Sequence, residues 1–212
     1  MARGGLRRGR AIDPEGFGLT PEELSRPVTS ASVFGNDAPL ELEVGSGKGS
    51  FLLTESLARP AVNFLGIEYT RRYWRCAGDR LRRSHRENAR VVLAEATAFI
   101  RDYIDDDTLS GVHIYFPDPW PKTAHRHRRF VQAPHIELVA GKMRRGARVR
   151  IVTDHAKYFE QIEKVLRSSS LRVVDFDAPA AAADSEEIVG TNFERKYRRE
   201  GRAFHAMACE RV

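Results

Sequence analysis

Five short apolar runs in this chain each end on, or next to, a carboxylate: Glu43 within 40–44, Glu68 after 62–67, Glu95 after 91–93, Asp118 after 112–116 and Asp154 after 149–152. Segments of helical spacing separate them. Strands that alternate with helices pair in parallel, because a parallel neighbour requires a crossover connection. Polar groups at the carboxyl ends of such strands line the crevice where open α/β sheets bind ligands.

The spacing predicts a helix after the turn Gly45-Ser46-Gly47-Lys48-Gly49, with Phe51, Leu52 and Leu57 facing the sheet, then a strongly basic helix over 70–86. Further helices are expected over 96–103, over 134–143, and around Tyr158, Phe159, Ile162, Val165 and Leu166, close to i, i+3, i+4, i+7 spacing. Two last strands, 171–176 and 204–208, show no clear helix between them, only the alanine linker 180–183. They suggest an antiparallel edge hairpin. The expected α/β architecture is a mostly parallel seven-stranded sheet with helices on both faces. It resembles the class I methyltransferase variant of the Rossmann-like fold.

A length of 212 residues suits one such domain over 39–212. Residues 1–38 hold Pro14, Pro21 and Pro27 without a sustained period, so a basic, irregular and partly disordered extension is expected there. Cys76 and Cys209 lack metal or redox spacing, and the histidines have no adjoining acidic cluster, so no metal is expected. No apolar run approaches the ~20 residues that cross a bilayer, and the arginine-rich start has no secretory apolar stretch. These features predict a cytoplasmic protein without membrane contact.

The glycine turn lets backbone approach a ligand closely. It lacks the glycine spacing of a dinucleotide fingerprint, and Gly49 after Lys48 breaks the phosphate-loop pattern. That disfavours a nicotinamide dehydrogenase. Glu68, some 20 residues on at a strand end, suits two ribose hydroxyls and repels a 2′-phosphate. Glu43 suits the ammonium end of S-adenosylmethionine, and Glu95 the adenine amino group.

Phe116-Pro117-Asp118-Pro119-Trp120-Pro121-Lys122 holds an aspartate between two prolines, each restricting its own φ and its predecessor. With Leu42-Glu43-Val44-Gly45-Ser46-Gly47, Phe64-Leu65-Gly66-Ile67-Glu68, Thr153-Asp154 and Thr191-Asn192-Phe193-Glu194, this run resembles the bacterial tRNA (guanine-N7)-methyltransferases of the TrmB type. The resemblance spans roughly 38–212.

It implies that Glu43, Gly45, Gly47, Glu68, Glu95, Ala96 and Asp118 contact S-adenosylmethionine, with Asp118 also the catalytic candidate. It implies substrate contacts from Lys122, Asp154, Thr191, Asn192, Phe193 and Glu194, a target guanosine at position 46 of the tRNA variable loop, and a monomer or weak homodimer. The family usually has Asp where this chain has Glu95, and Lys where it has Asn192.

The net charge of +6 gathers in three runs, 71–86, 122–129 and 195–202. The last two flank the expected site, making Arg126, Arg128, Arg129, Arg195 and Lys196 candidates for RNA phosphate contact, with the basic N-terminal arm as an addition. Two rivals share parts of the pattern: a methyltransferase of another substrate, and a non-catalytic RNA-binding protein on the same fold.

Overall fold

The computed structural model describes residues 11–183 and 186–212. The strands are β1 (Gly18–Leu19), β2 (Leu40–Val44), β3 (Asn63–Glu68), β4 (Ala89–Leu93), β5 (Leu109–Tyr115), β6 (Met143–Thr153), β7 (Arg172–Val174) and β8 (His205–Glu210). The helices are α1 (Ser30–Phe34), α2 (Ser50–Ala58), α3 (Arg71–Arg83), α4 (Ala96–Tyr103), α5 (Ala133–Lys142), α6 (Ala156–Arg167) and α7 (Asn192–Arg199).

The strands form one sheet in the order β1-β4-β3-β2-β5-β6-β8-β7. Every pairing from β1 to β6 is parallel; β8 runs antiparallel to both β6 and β7. The order reverses beside β2, between β3 and β5, and the crevice opens at the carboxyl ends there. Helices cover both faces. Phe51 and Leu52 of α2 and Trp74, Ala77 and Leu81 of α3 pack on one side. Phe99, Ile136, Val139, Tyr158, Ile162 and Leu166 of α4, α5 and α6 pack on the other. Because both faces are covered, β2 and β3 are buried along their whole length, charged residues included.

Four expectations need correction. The sheet has eight strands rather than seven, because Gly18 and Leu19 pair with Val91 and Val92. Residues 11–38 are therefore not simply irregular: Phe17 and Val28 are buried, and the Val28 N–H reaches the Tyr103 carbonyl at 2.8 Å. A helix, α7, does lie between the last two strands. Leu57 points to solvent, 62% exposed, because the buried part of α2 ends at Ser56. The arm at residues 1–10, including its arginines, lies outside the described residues.

Candidate active site

Gly45 and Gly47 adopt φ of 80° and 54°, values that favour glycine and turn the chain sharply out of β2. The turn is fastened to the neighbouring strand: the Gly45 and Ser46 N–H groups both donate to the Ile67 carbonyl, at 2.9 and 3.0 Å. Glu68 completes the fastening, one oxygen accepting from Gly47 N–H at 2.7 Å and the other from Thr70 N–H at 2.7 Å.

Glu43 lies deeper. It is buried, and its Oε2 has no hydrogen-bond partner among the described residues. Burial, aided by the Glu68 charge, pushes its carboxyl up to about 8 despite the Ser46 hydroxyl. A buried carboxylate oxygen without a partner at a cavity wall is a ready acceptor for a ligand ammonium.

Beyond β5 the Phe-Pro-Asp-Pro-Trp segment turns over the crevice. Phe116 and Trp120 have φ of 52° and 38°, and each directly precedes a proline, which normally favours extended backbone. Left-handed backbone at a bulky residue costs about 1–3 kcal/mol, and such outliers cluster at functional sites. Phe116 is pinned through its N–H to the Val152 carbonyl at 2.7 Å and by edge contacts with Tyr197 and Phe204. Asp118 at the apex is exposed.

Two adjoining cavities, about 750 and 570 Å³, occupy the crevice and share Gly45, Gly47, Tyr73, Tyr115, Phe116 and Phe193 as walls. Glu43, Thr191 and Asn192 line the first. Glu68, Glu95, Ala96 and Asp118 line the second. The residues expected to hold S-adenosylmethionine thus converge on one cleft, and the partnerless Glu43 oxygen fits its ammonium end. Glu95 is also the N-cap of α4, where its carboxylate accepts from Thr97 N–H at 2.9 Å and Ala98 N–H at 2.8 Å. Each oxygen keeps acceptor capacity beyond those bonds.

Other expected residues are placed differently. Arg129, read as a phosphate contact, is 3% exposed and turned inward, where carbonyls and a tyrosine ring take up its guanidinium. Glu194, read as a substrate contact, is fully buried. It accepts from the Ile188, Val189 and Gly190 N–H groups at 2.5, 2.8 and 3.0 Å and from Arg198 at 2.9 Å, so it shapes the turn before α7. Asp154 stands at the end of β6, off both cavity walls, with Oδ2 2.5 Å from Arg202.

Lys122 and Arg126 are exposed and line neither cavity, whereas Arg128 lies on the second cavity with its guanidinium 5.0 Å from the centre of the Trp120 ring. Arg195 and Lys196 line the first cavity, Arg195 in a two-pronged pair with Glu187 at 2.5 and 2.9 Å. Sequence reasoning missed Tyr115, Phe116 and Tyr73 as cleft walls. The strand-end rule that found the acids would have found the first two.

Tyr115 also connects the cleft floor to a buried polar chain. Its hydroxyl lies 2.8 Å from His113 Nδ1, His113 Nε2 lies 2.8 Å from Glu41, and Glu41 takes two bonds from Arg59. Burial opposes the Glu41 charge, but His113 and Arg59 outweigh it and bring its carboxyl down to about 2.

Comparison with known proteins shows the family and the fold. A family model described as a methyltransferase matches residues 37–207. The tRNA (guanine-N(7)-)-methyltransferase of Rhodopirellula baltica is 38% identical over 208 residues, 95% of this chain and 77% of the relative. The protein of the same name from Bordetella pertussis is 40% identical over 146 residues, 69% of this chain and 58% of the relative. A SAM dependent methyltransferase from Aquifex aeolicus superposes with a TM-score of 0.56 over 82% of each chain at 13% identity, which shows the shared fold. With the family model spanning most of its length and a relative this similar over 95% of the chain, the chain belongs to the tRNA (guanine-N7)-methyltransferase family.

Proposed function

We propose that this protein transfers the methyl group of S-adenosylmethionine to N7 of a guanosine in tRNA, at position 46 of the variable loop. One observation carries the reading: Glu43, Glu68, Glu95 and Asp118 line a single cleft with basic residues around it. A methyltransferase of a small metabolite would have no need of that cationic surround.

S-adenosylmethionine supplies a sulfonium-bound methyl group. Guanine N7 offers a free lone pair. That pair forms the N–C bond as the C–S bond breaks, and the electrons of the broken bond go to sulfur. No proton moves, so the site needs no general base. Its work is alignment and electrostatics. Asp118, exposed and without a hydrogen bond among the described residues, is available to take the guanine edge and to stabilise the cationic methylated ring. Lys122, Asn192 and Phe193, with Asp154 through its Oδ1, are assigned to the nucleotide. Arg126, Arg128 and Lys196 are assigned to phosphates. Work on tRNA accords with residence in the cytoplasm, and no helix among the described residues is long and apolar enough to cross a membrane.

The test is transfer of tritium from labelled S-adenosylmethionine to unmodified tRNA, followed by mapping of the modified base. Asp118→Ala should lower turnover by about a hundredfold or more with unchanged thermal unfolding, as expected for loss of transition-state stabilisation. Label at another atom, or near-normal turnover by that variant, overturns the corresponding part.

A further inference from the structure

We infer that Arg129 is a positioning residue: its buried guanidinium braces the proline turn and so sets the orientation of Asp118. Its Nε donates to the Pro119 carbonyl at 2.6 Å, and an Nη reaches the Trp120 carbonyl at 3.5 Å. The other Nη donates to Gln161 Oε1 at 2.5 Å. The cation lies 4.5 Å from the centre of the Tyr158 ring. Both supports come from α6, and both also hold the chain just after Arg129: Tyr158 Oη accepts from Val131 N–H at 3.2 Å, and Gln161 Nε2 donates to the Val131 carbonyl at 3.0 Å.

The turn needs such a brace. Its left-handed residues, Phe116 and Trp120, stand on either side of Asp118. Phe116 is anchored to β6 and to two aromatic rings; on the Trp120 side the Arg129 fork holds the carbonyls. Among the described residues no carboxylate forms an ion pair with Arg129, so its charge is directed at carbonyl oxygens and a π face. A buried cation left without a counter-charge is costly and is retained where its geometry has a use. The fork is specific to arginine, since a lysine ammonium is a point donor that cannot reach both α6 and two turn carbonyls. Arg126 and Arg128 in the same run are exposed, so one basic cluster serves two purposes.

The inference rests on the proposed methyl transfer for its kinetic readout. Arg129→Lys keeps the charge and should lower kcat about tenfold to a hundredfold, while the Kd for tRNA and its salt slope stay as in the wild type. Arg126→Ala supplies the signature of a phosphate contact for comparison: weaker binding and a slope shallower by about one. Gln161→Ala, which leaves the guanidinium in place, should lower kcat several-fold and keeps the test open if Arg129→Lys does not fold. Amide hydrogen exchange of a peptide spanning 116–122 should speed up in both brace variants. Unchanged kcat with weaker, less salt-dependent tRNA binding in Arg129→Lys overturns the inference, as does unchanged exchange in both variants. A wild-type protein that methylates no tRNA sinks the proposed function instead, and the exchange measurement then decides on the brace.

Discussion

Glu68 ties the Gly47 backbone to the end of β3, its Oε2 accepting the Gly47 N–H at 2.7 Å. The same carboxylate takes Thr70 N–H with its other oxygen, so the group assigned to the cofactor ribose is fixed before any ligand arrives. Glu68→Gln should weaken S-adenosylmethionine binding about tenfold to a hundredfold, the usual scale for a bond to a charged group. Isothermal calorimetry measures it, and a Kd within threefold of the wild type would count against the assignment.

Glu43 makes cofactor affinity depend on pH. With its carboxyl raised to about 8, the acid is mainly protonated at neutral pH. A ligand ammonium favours the carboxylate, so binding expels a proton, and affinity should climb from pH 6 to 8 and level off above. Calorimetry in two buffers of different ionisation enthalpy counts that proton. The stability sign is opposite. A carboxyl raised on folding contributes fully below its unfolded value near 4.5, and that contribution is lost as pH rises through about 8. Glu43→Gln should therefore unfold at a higher temperature than the wild type at pH 8–9 without ligand, and bind cofactor poorly.

Glu194 should behave as a structural residue. Burial opposes its charge, but Arg198 and three backbone donors outweigh burial and hold the carboxyl below its ordinary value. Glu194→Ala leaves those donors without their acceptor and should cost about 2–4 kcal/mol of stability at pH 7. Because the folded value is depressed, the stabilisation is present above the unfolded value of 4.5 and fades as pH falls through the folded one. The wild-type and variant melting curves should converge in acid; a constant gap would refute this account.

Phosphate binding by the exposed cations should appear as a steep salt dependence. Three contacts give a slope of log K against log salt of about −2 to −3. Replacing Arg126 and Arg128 together should make it shallower by about two. Filter binding across salt concentrations checks this, and a flat line removes the phosphate contacts.

Much of the architecture was legible because it depends on local periodicity. The apolar runs, the helical spacing of 158–166 and the acids at strand ends are neighbours along the chain, and α4 spans 96–103 as the spacing predicts. What escaped was short or hidden. β1 is two residues in a proline-rich stretch, too brief to show a period, and becomes a strand only because β4 offers it an edge. α7 is so charged that its single buried side, at Glu194, does not read as a helix face.

The chain's own order of residues determined which side chains stand at the strand ends and that a proline-locked aspartate follows β5, because strand periodicity and proline geometry act over a few residues. The tertiary structure alone decided which charges face ligand and which face protein. Arg128 and Arg129 are adjacent and chemically identical in the sequence, yet one lies on the cleft surface and the other beneath the turn. Burial is set by segments distant along the chain, here α6 packing against the turn, and no local pattern encodes it.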